Sequence, residues 1–168
     1  KIYELADEYK VNLKAAVSWA FEFEDQEWFA GFRDLATNGI NKPVFNVFKL
    51  LGKMTGQRVQ VVASDAFSAA EIITDKVSKS PDIGALAVTE KNKATILLWN
   101  YHDDNNLNAI PEKVLIQING IKSDKVHVTQ YLIDQDHSNS YTAWLKMGSP
   151  QKLSVDQYKS LEEASQLS

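Results

Sequence analysis

Between Val11 and Phe23, apolar and polar side chains alternate with a period of two residues. The apolar set is Leu13, Ala15, Val17, Trp19, Phe21 and Phe23. Successive side chains of a β-strand point to opposite faces, so this pattern predicts a strand. Helical patterns lie on both sides of it. One strand with two helices leaves its backbone groups unpaired and its faces uncovered. The first part of the chain therefore cannot be a complete domain by itself.

The two flanking helices are predicted from apolar periodicity. Over Lys1–Lys10, the apolar residues recur at the spacing of one helical face: Ile2, Leu5, Ala6 and Tyr9. Pro43 suits the first turn of a second helix. The apolar stripe of that helix is Val44, Val47, Phe48 and Leu51. A long loop over residues 24–41 precedes it, so residues 1–56 form one step of an α/β pattern.

The pattern changes after residue 56. Short β-rich runs follow at Arg58–Ser64, Gly84–Thr89, Ala94–Tyr101, Lys113–Asn119 and Lys125–Ile133. Turn signals separate them, and this spacing predicts an antiparallel β-sandwich over residues 57–168. Residues 66–80 fit either a helix or a loop. A capping-box pattern, Ser154 to Gln157, predicts a short C-terminal helix to about Ala164. The fold class is therefore mixed and mainly β.

Composition excludes several classes of function. The chain is 44% hydrophobic and 24% charged, with a formal net charge of −4, which is typical of a globular protein. No block of like charge favours nucleic acid or an anionic membrane, and no apolar run predicts a transmembrane helix. Cysteine is absent, so disulfides and thiolate metal sites are excluded. The histidines lack ligand spacing (His102, His127 and His137). We expect neither a metal nor a cofactor, and the compartment stays open.

The segment Trp19–Phe29 combines carboxylates with aromatic rings. Carboxylates accept hydrogen bonds from hydroxyls and an indole face stacks on a sugar ring, so the combination indicates a sugar-binding wall. The alternative is a solvated acidic loop beside core aromatics. Glu22 and Glu24, two apart on the predicted strand, would have Cα atoms roughly 6.5–7 Å apart on one face. Because a glycosidase pair must flank its substrate from opposite sides, we interpret them as binding groups.

Two further clusters favour structural interpretations. Trp99–Asp104 ends a predicted strand and opens an Asx-rich turn, and the spacing of a calcium loop is missing. Asp134–Trp144 places an Asp, a His and a Ser close together. Members of a catalytic triad rarely cluster in sequence, and no Gly-x-Ser-x-Gly elbow is present. We interpret this run as a polar, ordered loop with Trp144 buried.

Taken in order, several motifs resemble family 39 glycoside hydrolases. The first group is similar to the eighth strand and final helix of the family's barrel: Ser18–Asp25, Phe29–Arg33, Asn38–Pro43 and Phe48–Gly52. The second group is similar to its accessory sandwich and terminal segment: Leu97–Asp104, Leu132–Trp144 and Met147–Gln151. The resemblance covers nearly the whole chain, and the chain looks like the C-terminal portion of a bacterial β-xylosidase type.

The resemblance implies that residues 1–56 are the last βα unit of a (β/α)8 barrel and residues 57–168 the accessory β-sandwich. It implies a retaining mechanism whose acid/base and nucleophile lie on earlier strands, so we expect no catalytic residue in this chain. Trp19 matches the Trp that lines the glycone subsite. Glu24 matches an acid that contacts sugar hydroxyls, and Asp25 takes the place of a second, longer acid.

The implied substrate of the parent enzyme is a xyloside or xylo-oligosaccharide, and we expect the chain alone to be inactive. The alternative, from another class, is a non-catalytic β-sandwich module that binds carbohydrate or braces a barrel or an oligomer. An uncovered strand edge invites association. We therefore expect the barrel piece to pack on the sandwich, to pair with another chain as a homo-oligomer, or to be disordered.

Overall fold

The computed structural model describes residues 1–18, 20–31, 34–75, 80–104 and 111–168. The fold is mixed α/β, with two small antiparallel sheets and a short C-terminal helix. The helices in these ranges are α1 (Ile2–Glu8), α2 (Pro43–Gly52), α3 (Ala69–Asp75), α4 (Ser140–Lys146) and α5 (Val155–Ala164). The strands are β1 (Ala36–Thr37), β2 (Ile40–Asn41), β3 (Gln57–Val59), β4 (Asp82–Glu90) and β5 (Lys93–Tyr101).

The chain divides into two compact units, each built from two separate stretches. The first unit contains Lys1–Ala16 and Met54–Val126, and the second contains Val17–Lys53 and His127–Ser168. The predicted boundary at residue 56 remains a prediction.

The first unit is built on the three-stranded sheet β3-β4-β5. Strands β4 and β5 pair from Asp82 opposite Tyr101 to Glu90 opposite Lys93. Two residues join them, and Lys91 adopts a positive φ of 52° there. The β-rich runs at Gly84–Thr89 and Ala94–Tyr101 and the turn signal at 91–93 predict these two strands and their turn, and the structure confirms them. The ambiguous segment 66–80 contains α3, and α1 confirms the predicted N-terminal helix.

The second unit contains the β1-β2 hairpin with α2, α4 and α5. Its apolar core consists of Ile40, Trp144 and Leu161, each at most 9% exposed. The turn of the hairpin is Asn38-Gly39, with φ of 46° and 82°. Asn-Gly is the pair that such tight turns prefer, because both positions require a left-handed backbone. The sequence pattern predicts a loop over this segment, and the structure corrects it to a hairpin.

A buried amide joins α2 to the C-terminal part of the same unit. The side chain of Asn46 is fully buried. Its Nδ2 donates to the carbonyl oxygens of Ser138 and Ser165, at 2.9 and 3.0 Å. The Ser140 hydroxyl also donates to the Asn41 carbonyl at 2.6 Å. Since buried polar groups require partners, these bonds fix where the segments of this core lie.

The predicted strand over Val11–Phe23 is not formed at the positions that the structure describes. A strand needs a neighbour that completes its hydrogen-bond ladder. Within the second unit, Leu35 and Ala36 instead both donate their backbone N–H groups to the one Phe21 carbonyl, at 2.8 and 2.9 Å. Val17 remains 94% exposed. The alternating pattern favours a strand, but it does not identify a second segment that could pair with it.

The predicted strands at Lys113–Asn119 and Lys125–Ile133 are also absent, since residues 111–133 lie in neither helix nor strand. Of the predicted strand at Arg58–Ser64, only Arg58 and Val59 form a strand, as part of β3. The structure therefore confirms neither the β-sandwich nor the barrel unit. It does confirm α2 at Pro43 and the C-terminal helix, α5.

The cap of α5 provides a test of the fold. The Ser154 hydroxyl accepts from the Gln157 N–H at 3.2 Å, and the Gln157 side chain accepts from the Ser154 N–H at 2.9 Å. We expect Ser154→Ala to lower the free energy of unfolding by about 1 kcal/mol, since it leaves a helix donor unsatisfied. Urea unfolding followed by circular dichroism measures the change.

A matched control lies on the same helix. The Ser160 hydroxyl donates to the Asp156 carbonyl within the helix and caps nothing. Ser160→Ala should leave stability within about 0.5 kcal/mol of the wild type. Equal unfolding midpoints for Ser154→Ala and the wild type would contradict the assigned cap.

Candidate functional site

Residues 20–31 of the second unit form the loop that contains the predicted sugar-binding acids. Its first half is fixed on the β1-β2 hairpin. The Phe21 carbonyl accepts from the N–H groups at the start of β1, and the Glu22 Oε1 accepts from the Gly39 N–H at 2.8 Å. The carboxylate of Glu22 therefore supports the hairpin turn.

The second half of the loop is fixed by hydrogen bonds and aromatic packing. The Trp28 N–H donates to the Gln151 Oε1 at 2.9 Å, and the Phe29 N–H donates to the Thr37 hydroxyl at 3.1 Å. The Phe29 ring packs against Trp144 with centroids 5.0 Å apart. Because that tryptophan belongs to the core, the loop ends on a rigid support.

Glu24 and Asp25 lie in a turn between these two supports, which we call the acidic turn. Both side chains are exposed, and neither has a hydrogen bond or ion pair among the described residues. Asp25 has a positive φ of 57°. Aspartate tolerates this left-handed conformation better than most residues. The acidic turn thus presents two adjacent acceptor side chains to solvent.

The described ranges include two of the three predicted sugar-binding residues. Trp19 lies outside them. Glu24 and Asp25 are adjacent in the acidic turn. The considered pairing of Glu22 with Glu24 on one strand face is wrong, because no strand forms there and Glu22 bonds to Gly39.

A buried ion pair beneath the loop was missed by the sequence analysis. Lys42 and Asp34 form a salt bridge, with side chains only 10% and 4% exposed. The Lys42 Nζ also donates to the Gly31 carbonyl at 3.1 Å. A β-carbon on Gly31 would lie 1.9 Å from the Asp34 Oδ2, so only glycine fits. The Asn-Gly turn was the available signal, because the hairpin centred on it brings residues 34 and 42 together.

The Asp134–Trp144 run forms a hydrogen-bonded loop that caps α4, rather than a catalytic triad. The Asp134 Oδ1 accepts from the N–H groups of Asp136 and His137 and lies 2.9 Å from the His137 Nδ1. The Ser138 hydroxyl accepts from the Ser168 N–H at 2.9 Å. Asn139 caps α4. Trp144 is 9% exposed, as predicted, and its Nε1 donates to the Pro150 carbonyl.

The environment of Asp134 lowers its pKa. Burial acts to raise the pKa, but the hydrogen bonds from the Asp136 N–H and from His137 outweigh it and hold it below its ordinary value. The ionised form is therefore the one that stabilises this loop. In the Trp99–Asp104 cluster the effect is opposite, because the hydrogen bond to Asp103 raises the pKa of Tyr101.

The structure offers no metal centre in the ranges it describes, since no three His, Cys, Asp or Glu side chains gather there. The calcium-loop alternative includes Asn105 and Asn106, which lie outside those ranges. No described helix is long and apolar enough to cross a membrane.

Comparisons with known proteins identify the family. The model of glycosyl hydrolases family 39 matches residues 2–167. The chain therefore belongs to glycosyl hydrolases family 39. It is similar to a beta-xylosidase of Caldicellulosiruptor saccharolyticus, with 29% identity over 140 residues. Those residues are 82% of this chain and 25% of that protein, so the chain spans about a quarter of the relative's length. No solved structure matches.

The lowered pKa of Asp134 predicts a pH dependence. Its contribution to stability is complete above the ordinary carboxyl value of 3.8 and is lost as the pH falls through the lower folded-state value. Asp134→Asn should cost about 0.5–1 kcal/mol at pH 6, a modest amount because the side chain is 44% exposed. The difference from the wild type should shrink by pH 3.

Urea unfolding at pH 6 and pH 3 measures this difference. Asp136→Asn is the control, because it removes a carboxylate of the same loop that is 69% exposed and whose ion pair with the exposed Lys146 is worth little stability. A loss of stability in Asp134→Asn that is equal at both pH values would contradict the proposed role of the ionised carboxylate.

Proposed function

We propose that the chain is the C-terminal portion of a retaining glycosidase that acts on β-xylosides, and that it contributes sugar-binding residues to the active site. The family match over residues 2–167, together with a beta-xylosidase relative, is the observation that carries this proposal. We also propose that the acid/base and the nucleophile lie outside this chain. The substrate is then a xyloside or a xylo-oligosaccharide.

The acidic turn supports this role on chemical grounds. An ionised carboxylate only accepts hydrogen bonds, and sugar hydroxyls are donors. Glu24 and Asp25 are exposed and have no partner in the described part of the chain, so a ligand can bind them without breaking an existing bond. The loop is held at Glu22 and Phe29, which limits the entropy lost when a ligand binds. Trp19 would supply the stacking surface.

The same geometry argues against catalysis by these acids. The carboxyl groups of a retaining pair lie about 5–5.5 Å apart and flank the scissile bond from opposite sides. Glu24 and Asp25 are neighbours in one turn, and Glu22 is committed to the Gly39 N–H. These residues therefore suit substrate binding, with the reacting carboxylates supplied from elsewhere in the protein.

The surface of α2 supports the view that this chain packs against further protein. Its apolar stripe is between 38% and 44% exposed: Val44, Val47, Phe48 and Leu51. A contiguous apolar face of this kind is typical of an interaction surface. We propose that residues 1–56 complete a barrel and residues 57–168 form the accessory domain, so the stripe would face the barrel or a second chain.

The first test is activity. The isolated chain should hydrolyse nitrophenyl β-xyloside no faster than buffer does, because each missing catalytic group is worth orders of magnitude in rate. Release of nitrophenol measures the rate. Turnover near that of an intact glycosidase would contradict the proposal that the acid/base and the nucleophile lie outside this chain.

The second test addresses the acidic turn in the complete enzyme. Glu24→Gln should lower kcat/KM for xylobiose about tenfold, since a hydrogen bond to a charged group is worth about 1.5–3 kcal/mol. Glu22→Gln is the matched control. It should lower the melting temperature because it weakens the bond to Gly39, and it should leave kcat/KM close to the wild type. The reverse pattern would assign the sugar contact to Glu22.

A further inference from the structure

A groove on the first unit has the features of a second ligand site. It has a volume of about 350 Å³ and lies beside the β4-β5 hairpin. We call it the Trp99 groove. The residues of its lining that matter here are Lys1, Glu4, Ser68, Glu71, Gly84 and Trp99. All of them belong to the first unit, and none belongs to the acidic turn.

The indole of Trp99 is held in one orientation. Its Nε1 donates to the Asp82 Oδ2 at 2.9 Å. Asp82 is only 4% exposed, and its other oxygen accepts from the Phe67 N–H at 2.8 Å. A buried carboxylate with fixed donors cannot rotate freely, so the ring that donates to it cannot either. The aromatic surface is therefore preorganised.

Gly84 makes room for this ring. It lies directly opposite Trp99 in the β4-β5 register. A β-carbon at Gly84 would lie 2.5 Å from the Cζ2 of Trp99 and 2.7 Å from its Cε2. The indole thus lies across the glycine, where no other residue would allow it. Glycine inside a strand often marks such a close approach.

Acceptor groups line the groove together with the indole. The Glu71 Oε2 accepts from the Ser68 N–H at 2.6 Å, and the Ser68 hydroxyl accepts from the Glu71 N–H, so this carboxylate is fixed at the start of α3. Glu4 lies 3.6 Å from the Lys1 Nζ. Two carboxylates and one ammonium give the lining a net negative charge, which disfavours an anionic ligand.

We propose that the Trp99 groove binds a neutral pyranose, with the indole against its apolar face and the carboxylates of Glu4 and Glu71 accepting its hydroxyl protons. A volume of about 350 Å³ suits one sugar ring or two, at the lower end of ligand pockets, which span about 300–1,000 Å³. An aromatic plane beside hydrogen-bond acceptors matches the two surfaces of a sugar ring. The site does not depend on the proposed function, because binding requires no hydrolysis.

The experiment is a titration of the 168-residue chain, labelled with ¹⁵N, with xylotriose. Trp99→Phe identifies the Trp99 indole signal in the spectrum. Xylotriose should shift that signal, and Trp99→Ala should weaken binding at least about tenfold, which corresponds to 1.4 kcal/mol. Tyr101→Ala is the matched control, because Tyr101 is an exposed aromatic on the same strand that does not line the groove. It should bind like the wild type.

A second variant covers the case in which Trp99→Ala fails to fold. Glu4→Gln changes an exposed side chain that lines the groove, and it should weaken binding about threefold. Because the other tryptophans belong to the second unit, the backbone amide signals of β4 and β5 report whether each variant keeps the fold of the first unit.

Three outcomes would overturn the proposal. One is an unmoved Trp99 signal at saturating xylotriose. Another is binding that disappears in the Glu24→Gln, Asp25→Asn double variant but survives in folded Trp99→Ala, which would assign all sugar binding to the acidic turn. The third is a shift of Trp99 by putrescine and not by xylotriose, which would make the ligand a cation. Retained groove binding in that double variant supports the proposal even if the proposed glycosidase role fails.

Discussion

The second unit depends on the buried ion pair between Lys42 and Asp34. The Lys42 ammonium bonds to the carboxylate of Asp34 and to the carbonyl of Gly31, so one cation joins the end of the 20–31 loop to the β1-β2 hairpin. Removing one partner of a buried pair costs about 3–5 kcal/mol, because the other charge stays buried and unpaired. The ion pair therefore supports the end of the loop that contains the acidic turn.

Five acidic residues of the described ranges fall into two groups by what their oxygens accept. Asp82, Asp134 and Glu22 accept backbone N–H groups of neighbouring segments and hold loops in place. Glu24 and Asp25 accept nothing from the described residues. Composition and charge do not separate these groups, because all are carboxylates in polar stretches. The two groups differ in whether an unpaired N–H donor lies within reach of the carboxylate. That proximity depends on the fold.

The sequence predicted those elements whose signals are local. Helix α2 follows from Pro43 and its apolar stripe, and α5 follows from the pairing of Ser154 with Gln157. The β4-β5 hairpin follows from two β-rich runs and the turn signal between them. The hydrogen bonds of each element are formed within the element or with the next segment along the chain. A short window of sequence is therefore enough to predict it.

The failures are strands that needed distant partners. Alternation at Val11–Phe23 and the β-rich runs at Lys113–Asn119 and Lys125–Ile133 indicate a preference for strand, but a strand forms only when another segment completes its ladder. The buried contacts of Asn46 with Ser138 and Ser165 join positions 92 and 119 residues apart, and no local pattern indicates them. For the candidate site, the sequence predicts Glu24 and Asp25 as sugar contacts, and this stays a prediction. It did not indicate that the neighbouring Glu22 is engaged by the hairpin.

The Asn38-Gly39 turn has a chemical consequence as well as a structural one. Asparagine followed by glycine loses its side-chain amide more readily than other pairs, because the small glycine leaves the backbone nitrogen free to attack. Here that nitrogen donates to Glu22, and the Asn38 amide donates to the Gln26 carbonyl at 3.5 Å. Conversion of Asn38 to an acid would remove this donor and place a new negative charge near Glu22. Loss of the Asn38 amide over time would then weaken the contacts between the 20–31 loop and the hairpin turn.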